Sequence, residues 1–358
     1  MLQWFKQLKQ EWVLPEIHPE RCVHSQCEIA SCTNCVEACP HAAWLLDAGS
    51  LAIDTSRCDG CGLCVVACTE TALTQELDLL SGELAGKQTL LVACEYTDQK
   101  LKGKGLIPCL YLISPARLTE AYKLGYQQLK FACGDCQHCP RQQTSSFTKH
   151  LEEFNRLLAS RAAPLIQFQH LDPQTWNQQR TSLKPSSSPE TAQTRRQFLK
   201  QAVNLAVEKG LEAKELSLEP ELKPAQAWAA SLPINPNSES ALYPFAAQIN
   251  PLRCNACDAC IQLCPHQALS IVKLSAKEMA YETSPEQCTG CKLCVDSCDQ
   301  QALTLKTYSP QPEPVLLKQT RCQTCGSPFH YPAMQTAQTQ CRICSKANHH
   351  RQLFQVYS

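Results

Sequence analysis

Eight cysteines between residues 254 and 298 repeat one spacing pattern twice. In each half, three thiols are separated by two residues and a fourth follows after three more; the halves are Cys254, Cys257, Cys260 and Cys264, then Cys288, Cys291, Cys294 and Cys298. A loop with this spacing can wrap its backbone around one iron-sulfur cubane and ligate three of its irons. Zinc prefers two CxxC pairs spaced apart, so zinc or disulfides are the weaker interpretation.

This segment resembles a bacterial-type two-cluster 4Fe-4S ferredoxin, and we predict a module over residues 249–308. The resemblance implies that the fourth thiol of each half ligates the cluster held by the other half. One cubane would then be held by Cys254, Cys257, Cys260 and Cys298, and the other by Cys288, Cys291, Cys294 and Cys264.

A second module of the same kind is predicted over residues 20–80, but its first half is irregular because Ile29 stands where the first thiol is expected. Either Cys22 or Cys27 can supply that ligand, since a longer loop adds little closure entropy. An arginine precedes Cys22, as in two of the regular halves, which favours Cys22 slightly and leaves the choice open. The resemblance implies one cluster at Cys22 or Cys27 with Cys32, Cys35 and Cys68, and another at Cys58, Cys61, Cys64 and Cys39.

An alanine recurs four residues after the last cysteine of every half, at Ala43, Ala72, Ala268 and Ala302. A large side chain follows each alanine, and we expect the pair to pack on the cluster and exclude water. Four similar half-units therefore predict two ferredoxin-like modules of βαβ half-repeats. The predicted fold class of the whole chain is α+β and multidomain.

Residues 88–171 have a different pattern. Continuous apolar runs predict strands, and amphipathic stretches between them predict helices over 115–124 and 145–162. Such runs with helices between them indicate a small α/β domain with a parallel sheet. The predicted strands are Thr89–Cys94, Leu106–Ile113, Leu129–Cys133 and Pro164–Phe168.

Five cysteines lie at the ends of these strands, namely Cys94, Cys109, Cys133, Cys136 and Cys139. The carboxyl ends of parallel strands are where sites form, so the thiols should converge. The domain resembles the small iron-sulfur subunit that couples hydrogenase to heterodisulfide reductase. That resemblance implies one further iron-sulfur cluster, with 2Fe-2S as one form. A zinc site, a domain without a metal and a redox-active dithiol remain alternatives.

The C-terminal region, residues 315–358, contains two CxxC pairs: Cys322 and Cys325, then Cys341 and Cys344. Four thiolates in two such pairs predict a structural zinc ribbon. A rubredoxin-type iron is the alternative, but Ser345 follows the second pair where that site normally has glycine.

Two other stretches contain no cysteine. Residues 1–19 predict an amphipathic helix, and residues 172–248 predict a proline-rich linker with a helix ending at Gly210. Within the linker, Thr194–Lys200 resembles a twin-arginine export motif, although it lies in mid-chain and lacks the apolar stretch that should follow.

The composition limits the class of protein. The chain of 358 residues has 26 cysteines, too long for a small disulfide scaffold, and thiolates that await clusters must stay reduced, so we expect a cytoplasmic protein. Basic and acidic residues number 33 each, which gives no reason to expect nucleic acid as a partner. No apolar run is long enough to predict a membrane span.

These patterns predict an electron-transfer protein with four 4Fe-4S clusters, one zinc and a fifth cluster as an option. No dinucleotide fingerprint or acid-base constellation is visible, so a substrate site of its own is not expected. The expected partner is an oxidoreductase, with a formate dehydrogenase-type molybdoenzyme suggested by the twin-arginine-like segment. The alternatives are an accessory or assembly factor with structural clusters and, less favoured, a thiol/disulfide reductase acting at Cys133, Cys136 and Cys139.

Overall fold

The computed structural model describes residues 14–47, 50–97, 101, 103–141, 147–185, 227–233, 240–275 and 278–346. Most of the predicted N-terminal helix, the twin-arginine-like segment and the helix ending at Gly210 lie outside these residues. None of the helices in the described ranges is long and apolar enough to cross a lipid bilayer.

The first ferredoxin-like module is closed by a short strand pair. Glu16 and Ile17, predicted as the end of a helix, are instead extended and pair antiparallel with residues 73 and 74. Ile17 packs there beside Trp44 and Leu73. In chain order the elements are β1 (Glu16–Ile17), α1 (Val23–Gln26), α2 (Asn34–Glu37), β2 (Trp44–Asp47), β3 (Ser50–Ile53), α3 (Leu63–Ala67) and β4 (Leu73–Thr74).

The central domain is built on one mixed sheet. Its elements are β5 (Leu80–Leu84), β6 (Lys87–Cys94), β7 (Leu106–Ile107), α4 (Pro115–Lys123), β8 (Gln128–Ala132), α5 (Phe147–Ala159), β9 (Gln167–His170), α6 (Pro173–Ser182) and β10 (Lys184–Pro185). The strand order is β10-β5-β6-β8-β9, with β7 beside β6. Strands β6, β8 and β9 are parallel as predicted, while β5 and β10 add antiparallel pairs.

Two predicted strands differ from the structure. The apolar run Leu106–Ile113 is not one strand, because Pro108 has no N–H to continue the ladder after β7. Residues Leu110–Leu112 form a short 3-10 helix instead. The strand predicted over Pro164–Phe168 is displaced toward the C-terminus and becomes β9.

Residues 172–185, predicted as the start of the linker, belong to the central domain. Asp172 caps α6 by accepting from the backbone N–H groups of Gln174 and Thr175. Trp176 is fully buried against the sheet face that carries Leu91. Helices α4 and α5 cover the other face, so the sheet has a core on both sides.

The second module and the ribbon share one sheet. Strand pairing in the module begins at Tyr243, before the predicted boundary at residue 249. The elements are β11 (Tyr243–Ile249), α7 (Ala259–Gln262), β12 (Leu269–Lys273), β13 (Glu278–Thr283), α8 (Leu293–Asp296), β14 (Leu303–Ser309), β15 (Val315–Arg321), β16 (Pro328–Pro332) and α9 (Arg342–Lys346). The hairpin of β12 and β13 in the module continues through β15 to β16 in the ribbon, in the order β12-β13-β15-β16.

Candidate metal centres

Site A lies in the first module, where four thiols line one apolar cavity. These thiols are Cys22, Cys32, Cys35 and Cys68. Cys27, the alternative ligand, ends helix α1 and is not among the residues that line the cavity. The structure therefore brings Cys22 to the other three thiols, in agreement with the arginine that precedes it.

Site B consists of the regular half of this module and the fourth thiol of the other half. The members are Cys58, Cys61, Cys64 and Cys39. Cys39 and Cys58 are close enough to Cys64 to raise its pKa by charge repulsion, in addition to the larger effect of burial. The indole of Trp44 hydrogen-bonds the Cys64 thiol.

Sites C and D lie in the second module and follow the same crossed arrangement. Site C is a cavity lined by Cys264, Cys288, Cys291 and Cys294. Site D is a cavity lined by Cys254, Cys257, Cys260 and Cys298. In each module, each half thus contributes its fourth thiol to the other half's loop.

Left-handed residues shape the three regular loops. The residues on either side of the second cysteine have positive φ in each loop: Gly60 and Gly62, Ala256 and Asp258, Gly290 and Lys292. The turn aims backbone N–H groups at sulfur, as Gly60 N to Cys58 Sγ and Ala256 N to Cys254 Sγ, both 3.4 Å, show. Such donors stabilise the negative charge of a thiolate-bound cluster.

The recurring alanines have a related role. Ala43, Ala268 and Ala302 each donate a backbone N–H to the sulfur of the preceding fourth cysteine, at 3.4, 3.3 and 3.3 Å. Ala72 makes the corresponding bond to Cys68. All four alanines are buried, so a larger side chain would meet the core.

Burial also acts on the thiols of these sites. It raises the pKa of Cys61, Cys64 and Cys260 to about 12. Ordinary thiols are already protonated at neutral pH, so burial makes these protons harder to remove, and loading a cluster must release them.

The five strand-end cysteines of the central domain do converge. Cys94, Cys109, Cys133, Cys136 and Cys139 line one cavity together with Arg141. The Cys133 sulfur also lies 3.6 Å from Nε2 of His170. Five thiols exceed the four that a cubane or a 2Fe-2S cluster requires, so the donor set fits either cluster.

The ribbon site has the tightest group of thiols. The sulfur atoms of Cys322, Cys325, Cys341 and Cys344 all lie within 4.8 Å of one another. The backbone N–H of Cys341 donates to Cys322 Sγ at 3.3 Å and lowers the pKa of Cys322 to about 6. A thiolate is thus favoured there, and the group can hold a tetrahedral metal ion.

We expect Cys341→Ser to abolish zinc binding while the iron content stays unchanged, because three thiols and a hydroxyl hold zinc poorly. Elemental analysis of the purified variant would measure both metals. A loss of iron in place of zinc would instead identify the ribbon as a rubredoxin-type iron site.

Hydrogen-bonded side-chain pairs join the sites, and the sequence alone did not reveal them. Asp59 lies between two cysteines of site B, and its Oδ2 accepts from Arg141 Nε at 2.7 Å. Glu70 follows Cys68 of site A and pairs with His266, which follows Cys264 of site C, at 2.7 Å. The acidic residues in or beside the cysteine loops could have suggested such pairs from the sequence. Their partners could not be identified, because they are remote along the chain.

A third pair joins site D to the ribbon. Asp258, between two cysteines of site D, lies 2.9 Å from Nε2 of His330 on β16 and also accepts from the hydroxyl of Tyr281. A cleft of about 330 Å³ separates the two sites and is lined by residues of both. Shared apolar side chains join A to B and C to D within each module, so the sites follow the order central site, B, A, C, D and ribbon.

Comparison with protein families agrees with part of this organisation. Residues 51–74 and 247–270 each match the family of the 4Fe-4S binding domain. No curated protein matches the chain at a significant level. The resemblance of the central domain to a hydrogenase-associated subunit has no counterpart in these matches and stays a prediction. The chain therefore contains ferredoxin-type 4Fe-4S segments in both of its cysteine-rich modules.

Proposed function

We propose that this chain is an iron-sulfur electron-transfer protein in which sites A to D each hold one 4Fe-4S cluster. The family matches support ferredoxin-type chemistry, and the observation that carries the proposal is the continuity of the sites. Cys291 of site C lines the same cavity as the four thiols of site A, so the two modules adjoin at their cysteines. Neighbouring clusters at such contacts would pass single electrons along the chain.

The protein's own residues would supply three things. Thiolates hold the clusters, backbone N–H groups donate to the sulfurs, and shared apolar side chains exclude water between clusters. Leu73 and Trp44 pack with cysteines of both A and B. Leu269 and Leu303 belong to the corresponding core of sites C and D.

The relay would have two ends, the central site beyond site B and the ribbon beyond site D. A further iron-sulfur cluster at the central site would extend it beyond site B, and zinc in the ribbon would stabilise the far end without carrying electrons. The partner at one end would be a cytoplasmic oxidoreductase. A formate dehydrogenase-type molybdoenzyme is the candidate on the basis of Thr194–Lys200 alone.

Metal analysis and reduction test this proposal. Anaerobically purified full-length protein should contain about sixteen irons in four cubanes, or about eighteen to twenty with a central cluster, and about one zinc. A low-potential donor such as dithionite should reduce most clusters reversibly, which electron paramagnetic resonance (EPR) spectroscopy would record. Full iron content without reduction would favour the accessory or assembly role, and several zincs with little iron would refute electron transfer.

A further inference from the structure

We propose that Arg141 is a positioning residue shared by the central site and site B. Through it, the central domain becomes the end of the relay at which electrons enter or leave. The inference rests on the proposed function and extends it. It names the residue that joins a fifth cluster to the first ferredoxin-like module.

Arg141 contacts a neighbour of each metal site. Its Nε donates to Asp59 Oδ2 at 2.7 Å, and Asp59 lies between Cys58 and Cys61 of site B. Its Nη1 donates to the carbonyl of Pro108, which directly precedes Cys109 of the central site. Arg141 itself follows Cys139 by two residues, so one side chain links the loops of both sites.

The guanidinium is enclosed as well as bonded. Its side chain is only 5% exposed, and it lies 4.8 Å from the ring centroid of Tyr96, which follows Cys94. Burying a charge is unfavourable unless it is paired and hydrogen-bonded. Asp59, which also lies 3.3 Å from His41, provides that pairing.

The same charge acts on thiols of both sites. Arg141 lines the central cavity together with Cys94 and Cys109, and its partner Asp59 accepts from the backbone N–H of Cys61 in site B at 3.1 Å. A cluster gains one negative charge on reduction, so a fixed cation nearby favours its reduced form. One arginine would thus favour reduction of two neighbouring clusters.

Apolar packing closes the space around this bridge. Cys61 of site B and Cys94 and Cys109 of the central site belong to one buried cluster, together with Leu63 and Leu110. The route between the two sites therefore passes through packed protein in which charges are poorly screened.

Redox titration of the full-length protein, followed by EPR, tests the proposal with Arg141→Gln and Arg141→Lys. At a potential that half-reduces the two adjacent clusters in the wild type, Arg141→Gln should lower their ratio of reduced to oxidised form about tenfold. Arg141→Lys, which keeps the charge, should restore most of it. Signals of sites A, C and D should not change.

Arg161→Gln is the matched control. Arg161 is equally buried, donates to the carbonyls of Leu157 and Leu242, and lies over the ring of Tyr243, but these contacts involve no cysteine. The Arg161→Gln variant should therefore leave every cluster signal unchanged. A shift in Arg141→Gln that spreads to all clusters, or that also occurs in Arg161→Gln, would show a structural role and overturn the proposal.

Other outcomes separate this inference from the proposed function. A wild type with four reducible cubanes and an empty central site would overturn the inference and leave the relay intact. A wild type whose clusters cannot be reduced would overturn the relay itself. Loss of iron in both Arg141 variants would assign the residue to assembly of the site and would also overturn the inference.

Discussion

Cys22→Ser should remove about four irons from the protein, and Cys27→Ser should remove none. Cys22 lines the cavity of site A with the other three thiols, whereas Cys27 ends helix α1 outside it. A cubane that loses one of four thiolate ligands is held by three and is readily lost. Iron and sulfide analysis after anaerobic purification would measure the difference.

The two variants form a matched pair, because each exchanges one sulfur for oxygen within the same short segment. Reduced EPR spectra should lack the site A signal in Cys22→Ser alone. Iron loss in Cys27→Ser with full iron in Cys22→Ser would contradict the assignment. Equal loss in both would mean that the segment folds only with both thiols.

His266→Ala should destabilise the junction between the modules and weaken the magnetic coupling between clusters A and C. The side chains of Glu70 and His266 are 7% and 13% exposed, so removing the imidazole leaves a buried carboxylate without its partner. Breaking a buried pair in this way costs about 3–5 kcal/mol. Within the described residues, the other carboxylate oxygen of Glu70 is already buried without a hydrogen bond. The carboxylate therefore has no second hydrogen bond to replace the one lost with His266.

Thermal unfolding of the holoprotein and the splitting of EPR signals in the fully reduced state would measure these effects. The control is His138→Ala, because the pair of His138 with Asp135 is exposed and should contribute nothing measurable.

Asp296→Ala removes a second contact across the junction, where the backbone N–H and the hydroxyl of Ser31 donate to the Asp296 carboxylate at 2.9 and 2.8 Å. We expect a smaller effect there, since that contact is exposed. Unchanged splitting in His266→Ala would show that the junction does not depend on the pair.

The spacing of the cysteines predicted the grouping within each regular loop, because a ligand loop of fixed length restricts where its thiols can lie. It also predicted the convergence of the five central thiols, since they follow parallel strands. The recurring alanines were visible as a pattern. The hydrogen bonds from their backbone N–H groups to sulfur could be recognised only in the structure, where the residue directly before each alanine has a positive φ.

The predictions that were wrong concern segments whose conformation depends on distant partners. Glu16 and Ile17 fall within the predicted N-terminal helix, yet they pair with β4, where Ile17 packs beside Leu73. Residues 172–185 have a polar, proline-containing sequence, yet Trp176 covers one face of the central sheet. Local propensity predicts secondary structure poorly in segments whose conformation depends on burial against distant parts of the fold.

The sequence by itself therefore determined how the cysteines are grouped: two repeated ferredoxin-type modules, a convergent central group and a C-terminal pair of CxxC motifs. Only the tertiary structure placed Cys22, and not Cys27, in the cavity of site A, ordered the sites and revealed the pairs that join them. The reason is separation along the chain. Arg141 and Asp59 are 82 residues apart, and Glu70 and His266 are 196 apart. No spacing rule relates such residues, because packing of whole modules brings them together.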